Sequence, residues 1–338
     1  MRACVVHGAH DLRVEDIDVP APGRGQIAVD VAYGGVCGSD LHYAHRGGVG
    51  DFLVREPMVL GHEVVGTVAA LGDGVDGPEA GTPVAVHPAT PCGKCPECLD
   101  RRENVCRDTR YLGSAARLPH VQGGFAQRIV LPAHQIRALP DGLSLETAVL
   151  AEPLSVALHA VARAGDVTGR SVFVTGAGPI GCLAVAALRA AGAREVIVSD
   201  LVPETLAVAR AVGATAVVRA DDPDAAPTDI DIAVEASGAP AALGACVRAV
   251  RRGGRVVQLG LLPPGDVTFP GNLLVTKEIE LVGAFRFGSE FDDALALLAS
   301  GLPVEPVLTH RFPLDQSEQA FTVARDRTQA SKVVLDFR

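Results

Sequence analysis

Four cysteines in one short segment have the spacing of a metal site. They are Cys92, Cys95, Cys98 and Cys106, in a C-x2-C-x2-C-x7-C pattern. Four thiolates this close together suit a closed, tetrahedral zinc site. Because a closed site has no open coordination position, we expect it to be structural and to fold a lobe with little core of its own. An iron–sulfur cluster uses the same ligands and unligated thiols are a third alternative, but the tight spacing and the lack of any sign of a redox partner in the sequence favour zinc.

A second group of possible ligands lies nearer the N-terminus. Cys37 and His62, with the adjacent carboxylate of Glu63, could hold a zinc that keeps one position open for a substrate. Taken singly, each has a simpler explanation. Cys37 could be a small buried hydrophobic residue and His62 a core histidine with both ring nitrogens satisfied.

The third chemical pattern is a glycine-rich turn between an apolar strand and an Ala/Leu-rich helix. The turn reads Gly176-Ala177-Gly178-Pro179-Ile180-Gly181. Its glycines allow a tight turn and a close approach of a pyrophosphate, while the helix N-terminus offers free N–H groups. Asp200 ends the next strand, where a carboxylate accepts from ribose hydroxyls and repels a 2′-phosphate. Since no arginine follows within several residues, the pattern predicts NAD in preference to NADP. The alternative to a dinucleotide site is a chance glycine turn, which the strand, the helix and Asp200 together argue against.

The remaining sequence predicts an α/β fold with two domains. Up to residue 151, short apolar runs separated by Gly, Pro and Asp turns predict a β-rich domain. From residue 152 to 284, predicted strands at 195–200, 216–218, 230–236, 256–261 and 280–284 alternate with predicted helices at 154–164, 204–212 and 241–250. That rhythm predicts a doubly wound parallel sheet of the Rossmann type. A helix at 291–300 and a strand-like stretch at 331–337 follow.

Composition excludes several classes of partner. The net charge is −10 and no cluster of Lys and Arg forms a stripe, so we expect neither nucleic acid nor an anionic membrane as a partner. The chain shows no apolar run of the roughly eighteen residues needed to cross a bilayer and no signal-peptide pattern at its start. The clustered cysteines suggest a reduced, cytoplasmic, metal-binding protein rather than a disulfide scaffold.

Residues 61–66, which read GHEVVG, with Gly72 and Val75 behind them, resemble the zinc signature of the medium-chain dehydrogenases, the alcohol and sorbitol dehydrogenase superfamily. Cys37, the four-cysteine lobe, the glycine-rich turn and the segment EPLS at 152–155 follow in that superfamily's order, over essentially the whole chain. The resemblance implies a GroES-like catalytic domain at 1–151 with the lobe at about 90–108, a Rossmann domain at 152–284, and a return to the catalytic domain at 285–338. It also implies two zinc ions per chain and a homodimer or homotetramer.

The resemblance assigns metal-binding roles as well. Cys37 and His62 match the two fixed ligands of the catalytic zinc. Glu152 stands where alcohol dehydrogenases have a third cysteine, and a glutamate there is the sorbitol dehydrogenase pattern, in which it ligates the metal or holds a metal-bound water. Glu63 matches a glutamate that lies behind the metal and can approach it. Whether Glu63, Glu152 or water completes the site is therefore left open.

The implied reaction is oxidation of a secondary hydroxyl, with hydride transfer to the nicotinamide. Ser39 and His42 resemble the hydroxyl and imidazole of a proton relay to solvent. We expect Asp40 to orient them by hydrogen bonding.

Several stretches resemble the L-idonate 5-dehydrogenase branch more than the sorbitol branch; they are residues 35–43, 57–63, 110–115, 119–121, 123–125, 285–287, 289–291 and 328–332. That branch oxidises C5 of an aldonate, L-idonate, reversibly to 5-ketogluconate. A substrate carboxylate needs a cation or several donors. Arg286 is the leading candidate, Arg110 and His120 are the others, and Tyr43 is also assigned to the substrate pocket. Sorbitol-type enzymes share Arg286, so Arg110 and His120 discriminate better, although Arg110 could equally pair with a surface carboxylate.

Two other functions remain as alternatives. One is a sorbitol or L-iditol type polyol dehydrogenase. The other is an NAD-binding sensor without catalytic activity, which should lack a ligand or a relay residue. None of the expected ligand and relay residues is missing from the sequence, which argues against the sensor.

Overall fold

The computed structural model describes residues 1–222 and 224–338. The strands in chain order are β1 (Arg2–Gly8), β2 (Asp11–Asp16), β3 (Gln26–Gly35), β4 (Gly48–Val49), β5 (Phe52–Leu53), β6 (Met58–Val59), β7 (Glu63–Leu71), β8 (Pro83–Val86), β9 (Ala89–Thr90), β10 (Arg110–Tyr111), β11 (Arg128–Pro132), β12 (Ile136–Ala138), β13 (Ser171–Thr175), β14 (Glu195–Asp200), β15 (Ala216–Arg219), β16 (Ile230–Glu235), β17 (Val250–Gln258), β18 (Glu280–Gly283), β19 (Leu308–Pro313) and β20 (Lys332–Asp336). The α-helices are α1 (Gly38–Arg46), α2 (Pro96–Leu99), α3 (Leu145–Ala148), α4 (Ala151–Ala164), α5 (Pro179–Ala190), α6 (Pro203–Ala211), α7 (Pro240–Ala249), α8 (Asn272–Thr276), α9 (Glu290–Ala299) and α10 (Ser317–Arg325).

A mixed sheet forms the centre of the N-terminal part. Its strand order is β12-β8-β7-β3-β20-β19, with β11 also paired to β3. β3 lies between neighbours on both sides, and eight of its ten residues are buried. The register of β3 and β7 pairs Gly35 with Glu63, and β20 pairs Val334 with the same Gly35. The end of β3, the start of β7 and the start of β20 therefore meet at one edge of this sheet.

A parallel sheet forms the centre of the second part. Its strand order is β15-β14-β13-β16-β17-β18, and each neighbouring pair is parallel. Counted from β13, this is the 3-2-1-4-5-6 order of the Rossmann fold. The order reverses between β13 and β16, so the crevice for a ligand lies at the carboxyl ends of these two strands. The predicted α/β fold class is confirmed.

The C-terminal segment contributes to both parts. Helix α9 packs on α4, and Phe291, Ala294 and Leu295 of α9 belong to the same apolar cluster as the buried face of α4. β19 and β20 then complete the mixed sheet. The chain thus rejoins the N-terminal sheet at Leu308. The domain limits inferred from the sequence, 1–151, 152–284 and 285–338, stay a prediction.

Most predicted elements lie within a few residues of the observed ones. The strand predicted at 195–200 is β14. The strand predicted at 256–261 is β17, which begins earlier, at Val250, and ends earlier, at Gln258. Helices α1 and α10 were not predicted. Within the described residues, none of the helices is long and apolar enough to cross a membrane.

Candidate active site and metal centres

The paired ends of β3 and β7 bring the predicted catalytic ligands together. Cys37 follows β3 and His62 precedes β7, so the Gly35–Glu63 register places them side by side. One ligand atom each from Cys37, His62 and Glu63 lies within 4.8 Å of the others. Gly35 must be a glycine here, because a Cβ on it would lie 2.1 Å from Oε2 of Glu63. A thiolate, an imidazole and a carboxylate form a donor set that fits a catalytic zinc.

Asp40 holds together the segments that carry Cys37 and His62. It was expected to orient Ser39 and His42 instead, and this expectation is wrong. Its side chain is fully buried. Oδ2 accepts from the backbone N–H of Cys37 at 3.0 Å and Oδ1 accepts from the N–H of Gly61 at 3.2 Å. Oδ1 also lies 3.8 Å from Nδ1 of His62. The reason is its place in α1, where the third residue of a helix turns back to cap the residue before the first turn.

Glu63 forms a buried ion pair that the sequence did not predict. Nζ of Lys332, the first residue of β20, donates to both carboxylate oxygens of Glu63 at 2.7 and 2.8 Å and to the carbonyl of Val36 at 3.2 Å. The two side chains are only 3% and 1% exposed. Burial, the largest effect, and the charge of Glu152 raise the pKa of Glu63 to about 7, while Lys332 and His62 act to lower it. Lys332 is 269 residues away in sequence, so only the sheet topology reveals it.

Glu152 is held by another residue that the motifs did not single out. The hydroxyl of Tyr111 donates to Oε1 of Glu152 at 2.6 Å. The Tyr111 ring lies edge-on to His62, with ring centres 5.7 Å apart, and the guanidinium of Arg286 lies 4.7 Å from its centre. Burial and the Glu152 charge raise the pKa of Tyr111 well above its ordinary value, so the phenol stays a donor. Tyr111 therefore joins His62, Glu152 and Arg286 into one site.

The relay candidates share one face of α1. Ser39 and His42 are three residues apart on this helix, a spacing that brings side chains together. In the described residues, no hydrogen bond joins the Ser39 hydroxyl to the imidazole. More than a third of His42 is exposed. The loss of solvent around the rest of the ring, and then the neighbouring Arg46, lower its pKa. The imidazole is therefore neutral near pH 7 and can accept a proton.

The predicted substrate residues are not all brought to the site. Arg110 is exposed and is the strand neighbour of Tyr111, so its side chain points to the opposite face. The buried ring of His120 accepts from the N–H of Arg55 at 2.9 Å and contacts the carbonyl of Arg117 at 2.7 Å. The hydroxyl of Tyr43 accepts from the N–H of Ala115 at 3.1 Å. His120 and Tyr43 thus hold loops together, and Arg286 is the predicted cation that lies beside Glu152.

The four cysteines of the lobe converge as expected. All are free thiols, and their sulfur atoms are 3.4 Å apart for Cys95–Cys98, 3.8 Å for Cys95–Cys106 and 4.0 Å for Cys92–Cys98. Thiolates at about 2.3 Å from one zinc in a tetrahedron lie about 3.8 Å apart. Backbone N–H groups lower the pKa of Cys92 to about 6, which favours the thiolate that a metal needs. The residues fit a closed zinc site.

The glycine-rich turn has the geometry of a dinucleotide site. Gly176 has a φ of +94°, and a Cβ on Gly181 would lie 1.9 Å from the Gly176 carbonyl oxygen. Gly178 precedes α5, which begins at Pro179. Among the described residues, no atom lies within 4 Å of the position of a Gly178 Cβ. The backbone is therefore open to a pyrophosphate at the helix N-terminus.

Asp200 ends β14 beside this turn, as predicted, but it has a partner from a distant part of the chain. Oδ2 accepts from the N–H of Ala177 at 2.7 Å and also forms an ion pair with Nη2 of Arg327. No arginine follows Asp200 within several residues of the sequence. The structure supplies one from 127 positions further on.

The chain matches two protein families. Residues 23–141 match the alcohol dehydrogenase GroES-like domain, and residues 179–300 match the zinc-binding dehydrogenase family. Together these matches cover more than half of the 338 residues. The chain therefore belongs to the zinc-containing medium-chain dehydrogenases, which are oxidoreductases, and the resemblance inferred from the sequence is confirmed.

Individual relatives differ in substrate and cofactor. L-Idonate 5-dehydrogenase (NAD(P)(+)) of Escherichia coli strain K12 is 39% identical over 99% of this chain and 98% of its own length. Its crystal structure superposes with a TM-score of 0.92 over 99% of this chain and 97% of that one. Sorbitol dehydrogenase of Bacillus subtilis strain 168 is 36% identical over 95% of this chain and 92% of its own length. A zinc-binding dehydrogenase of Sinorhizobium meliloti 1021, solved with NADP, is 30% identical in sequence. Its structure superposes with a TM-score of 0.91 over 99% of this chain and 98% of that one.

Proposed function

We propose that this protein oxidises a secondary hydroxyl of a sugar acid, L-idonate to 5-ketogluconate, reversibly and with NAD as the preferred hydride acceptor. The dinucleotide supplies hydride acceptance and release at its nicotinamide ring. The observation that carries the proposal is Arg286, a half-buried cation beside Glu152. In the part of the chain that the structure describes, this guanidinium faces the rings of Tyr111 and Phe285, at 4.7 and 4.8 Å, and makes no salt bridge.

Such a cation can bind a substrate carboxylate. Because sorbitol-type enzymes share this arginine, the substrate panel below decides between a sugar acid and a polyol. Burial lowers the pKa of Arg286 because it removes water from the guanidinium, although an arginine stays charged at neutral pH. A substrate carboxylate would restore the lost solvation through charge-assisted hydrogen bonds. We therefore assign carboxylate binding to Arg286, in place of Arg110 and His120.

The protein's own residues hold the metal and the substrate. Cys37 and His62 would ligate a catalytic zinc, with Glu63, Glu152 or water completing the site. When bound, this zinc supplies Lewis-acid polarisation of the substrate hydroxyl. Tyr111 orients the Glu152 carboxylate, and Asp40 holds Cys37 and His62 at their separation.

Proton movement is assigned to α1. Ser39 accepts the substrate hydroxyl proton as it donates its own to His42, and the exposed imidazole exchanges this proton with solvent. The lowered pKa of His42 keeps it able to accept a proton at neutral pH. Ser39 and His42 need to move by a side-chain rotation to touch, which the helical spacing allows.

Substrate charge tests the proposal. kcat/KM is measured for L-idonate, D-gluconate, sorbitol and xylitol, with the wild type and with the matched variants Arg286→Gln and Arg110→Gln. We expect the wild type to prefer L-idonate. Arg286→Gln should lower kcat/KM for L-idonate by about tenfold to a hundredfold, the worth of a hydrogen bond to a charged group. Arg110→Gln, on the opposite face of its strand, should change it by less than threefold, roughly 0.6 kcal/mol.

A polyol dehydrogenase of the sorbitol or L-iditol type is the second candidate, because the sorbitol dehydrogenase of Bacillus subtilis is 36% identical. Faster turnover of sorbitol than of L-idonate, with equal losses on both substrates in Arg286→Gln, would establish it instead. The same result would reject the sugar-acid assignment.

We also infer a homodimer or homotetramer in a reducing, cytoplasmic compartment. β18 is the outer strand of the parallel sheet, and Leu281 on it, Phe285 after it and Leu261 after the neighbouring strand are 37%, 43% and 73% exposed. An exposed strand edge with apolar side chains favours pairing with another chain. All eight cysteines are free thiols, which a reducing compartment preserves. Light scattering that gives the mass of one chain, 34.9 kDa, would contradict the assembly.

A further inference from the structure

The carboxylate of Asp200 is tied to two backbone segments of the nucleotide crevice. Oδ2 accepts from the N–H of Ala177 in the glycine-rich turn at 2.7 Å, and Oδ1 accepts from the N–H of Val202 at 3.0 Å. These bonds fix the carboxylate at the end of β14, where the adenosine ribose of a dinucleotide is read. The side chain is only 3% exposed, however. Something besides the crevice backbone therefore covers it.

Arg327 lies across this carboxylate. It belongs to the turn between α10 and β20, in the part of the chain that completes the mixed sheet, and its Nη2 donates to Oδ2 of Asp200. Its own side chain is 49% exposed. The turn is well built, because Asp326 accepts from the N–H of Thr328 at 3.0 Å and from its hydroxyl at 2.6 Å. The guanidinium is thus presented to the crevice from a fixed backbone.

The other nearby arginine is engaged elsewhere. Arg219 pairs with Asp200 in the register of β14 and β15, but its guanidinium binds Asp221 at 3.0 and 2.7 Å. Within residues 1–222 and 224–338, Arg327 is therefore the cation that forms a salt bridge with Asp200. An adenosine ribose that reaches Asp200 must meet Arg327 as well.

This pairing changes the electrostatics on which cofactor choice depends. An unpaired aspartate here accepts from the ribose hydroxyls and repels a 2′-phosphate. The guanidinium offsets that repulsion, and a phosphate is a better bidentate partner for it than one carboxylate oxygen. A 2′-hydroxyl, by contrast, must share Asp200 with the arginine. Both effects reduce the advantage of NAD over NADP.

We propose that Arg327 is a cofactor-specificity residue, which binds the 2′-phosphate of NADP and so lets the chain use NADP beside NAD. The proposal rests on the dinucleotide site of the proposed function and deepens it. It does not depend on the sugar substrate or on the catalytic metal. When NADP binds, the guanidinium exchanges Asp200 for the phosphate, and Asp200 keeps its bonds to Ala177 and Val202.

Equilibrium binding of two mononucleotides tests this without catalysis. Adenosine 5′-monophosphate and adenosine 2′,5′-bisphosphate differ by the 2′-phosphate alone, and each is titrated calorimetrically into the wild type, Arg327→Met and Arg325→Met at one salt concentration. We expect the wild type to bind both. Arg327→Met should weaken the bisphosphate by about tenfold to a hundredfold and leave the monophosphate within threefold.

Arg325→Met is the matched control, because it removes the same charge from the end of α10 while its guanidinium contacts His45 rather than Asp200. It should leave both affinities unchanged. The reciprocal variant Asp200→Asn should strengthen bisphosphate binding, since it removes the repulsion and frees the arginine. An unchanged thermal midpoint for each variant shows that the fold is intact.

Four outcomes would overturn the proposal. Equal weakening of both nucleotides by Arg327→Met would make the arginine a link between the two parts of the chain. No effect on either would make the ion pair incidental. Wild-type binding of the monophosphate without the bisphosphate would reject NADP while leaving the NAD site in place. Failure of both to bind would reject the dinucleotide site itself, whereas failure to oxidise any sugar acid would leave the binding result standing.

Discussion

At the residue scale, the phenol of Tyr111 orients a carboxylate at the metal site. Its hydrogen bond to Glu152 is 2.6 Å long and joins a neutral donor to a charged acceptor. Tyr111→Phe should therefore lower kcat/KM by about tenfold to a hundredfold, since a hydrogen bond to a charged group is worth about 1.5–3 kcal/mol. Steady-state kinetics on the preferred substrate measure this. The control is Tyr33→Phe, whose hydroxyl bonds Arg338 away from the site, and equal kinetics of the two variants would contradict the role of Tyr111.

The buried ion pair of Glu63 and Lys332, beside the candidate metal site, should contribute to the stability of the folded protein. Lys332→Met leaves a buried carboxylate without its partner, which costs about 3–5 kcal/mol of unfolding free energy. Denaturant unfolding of the metal-free protein measures the loss. Lys332→Arg, which keeps the positive charge, should lose less than Lys332→Met. A loss below about 1 kcal/mol in Lys332→Met would show that the pair contributes as little as a surface salt bridge.

At the element scale, the cysteine lobe has short elements, and we expect it to depend on a bound metal. Helix α2 has four residues, of which only Cys98 is buried. Such a segment buries too little apolar surface to fold by itself. The four sulfur atoms instead form a closed set of possible ligands, so we expect zinc binding and folding of the lobe to be one process.

Metal analysis tests both zinc centres together. Freshly purified wild type should contain about two zinc ions per chain, because the chain holds two separate ligand groups. Cys37→Ala should retain about one, since it removes a ligand of the catalytic site and leaves the lobe intact. Cys98→Ser should lose the other and make the lobe sensitive to protease. One zinc in the wild type that is still retained in Cys37→Ala would show that the Cys37–His62 group binds no metal.

At the scale of the whole molecule, the two sheets share one apolar core. Ala32, Tyr33 and Val65 of the mixed sheet belong to the same buried cluster as Leu154 on α4 and Val174 on β13. Helix α4 thus packs between the two parts of the chain. Unfolding of one part exposes the apolar surface of the other, so we expect them to unfold together.

Tyrosine fluorescence and circular dichroism report on the unfolding of the two parts separately. All three tyrosines lie in the first 111 residues and the chain has no tryptophan, whereas most helical residues lie in the second part. Denaturation followed by both signals should give coincident transitions. Leu154→Ala should shift both by about 2–5 kcal/mol, while Leu99→Ala, at an exposed position, should shift neither. Separate midpoints would mean that the two parts unfold independently.

The sequence by itself determined the features that depend on local pattern. Cys92, Cys95 and Cys98 are close in space because they are close in the chain, so their spacing was enough to predict a metal site. The glycine-rich turn and Asp200 were found because a strand, a turn and a helix follow each other directly. The alternation of strands and helices likewise predicted the parallel sheet, since each unit folds from neighbouring residues.

Only the tertiary structure decided which distant residues complete these sites. Lys332 reaches Glu63, Tyr111 reaches Glu152, and Arg327 reaches Asp200 through pairings of elements far apart in the sequence. A single arginine or tyrosine carries no local signal, because its role depends on the strand register and helix packing that bring a partner within about 3 Å. For the same reason the sequence kept Arg110 and His120 beside Arg286 as candidate carboxylate ligands, although Arg110 faces away from the site and His120 is bound by backbone groups. Local spacing is enough to define a motif such as the cysteine cluster. The long-range contacts decide which charged partners the motif residues Glu63, Glu152 and Asp200 have.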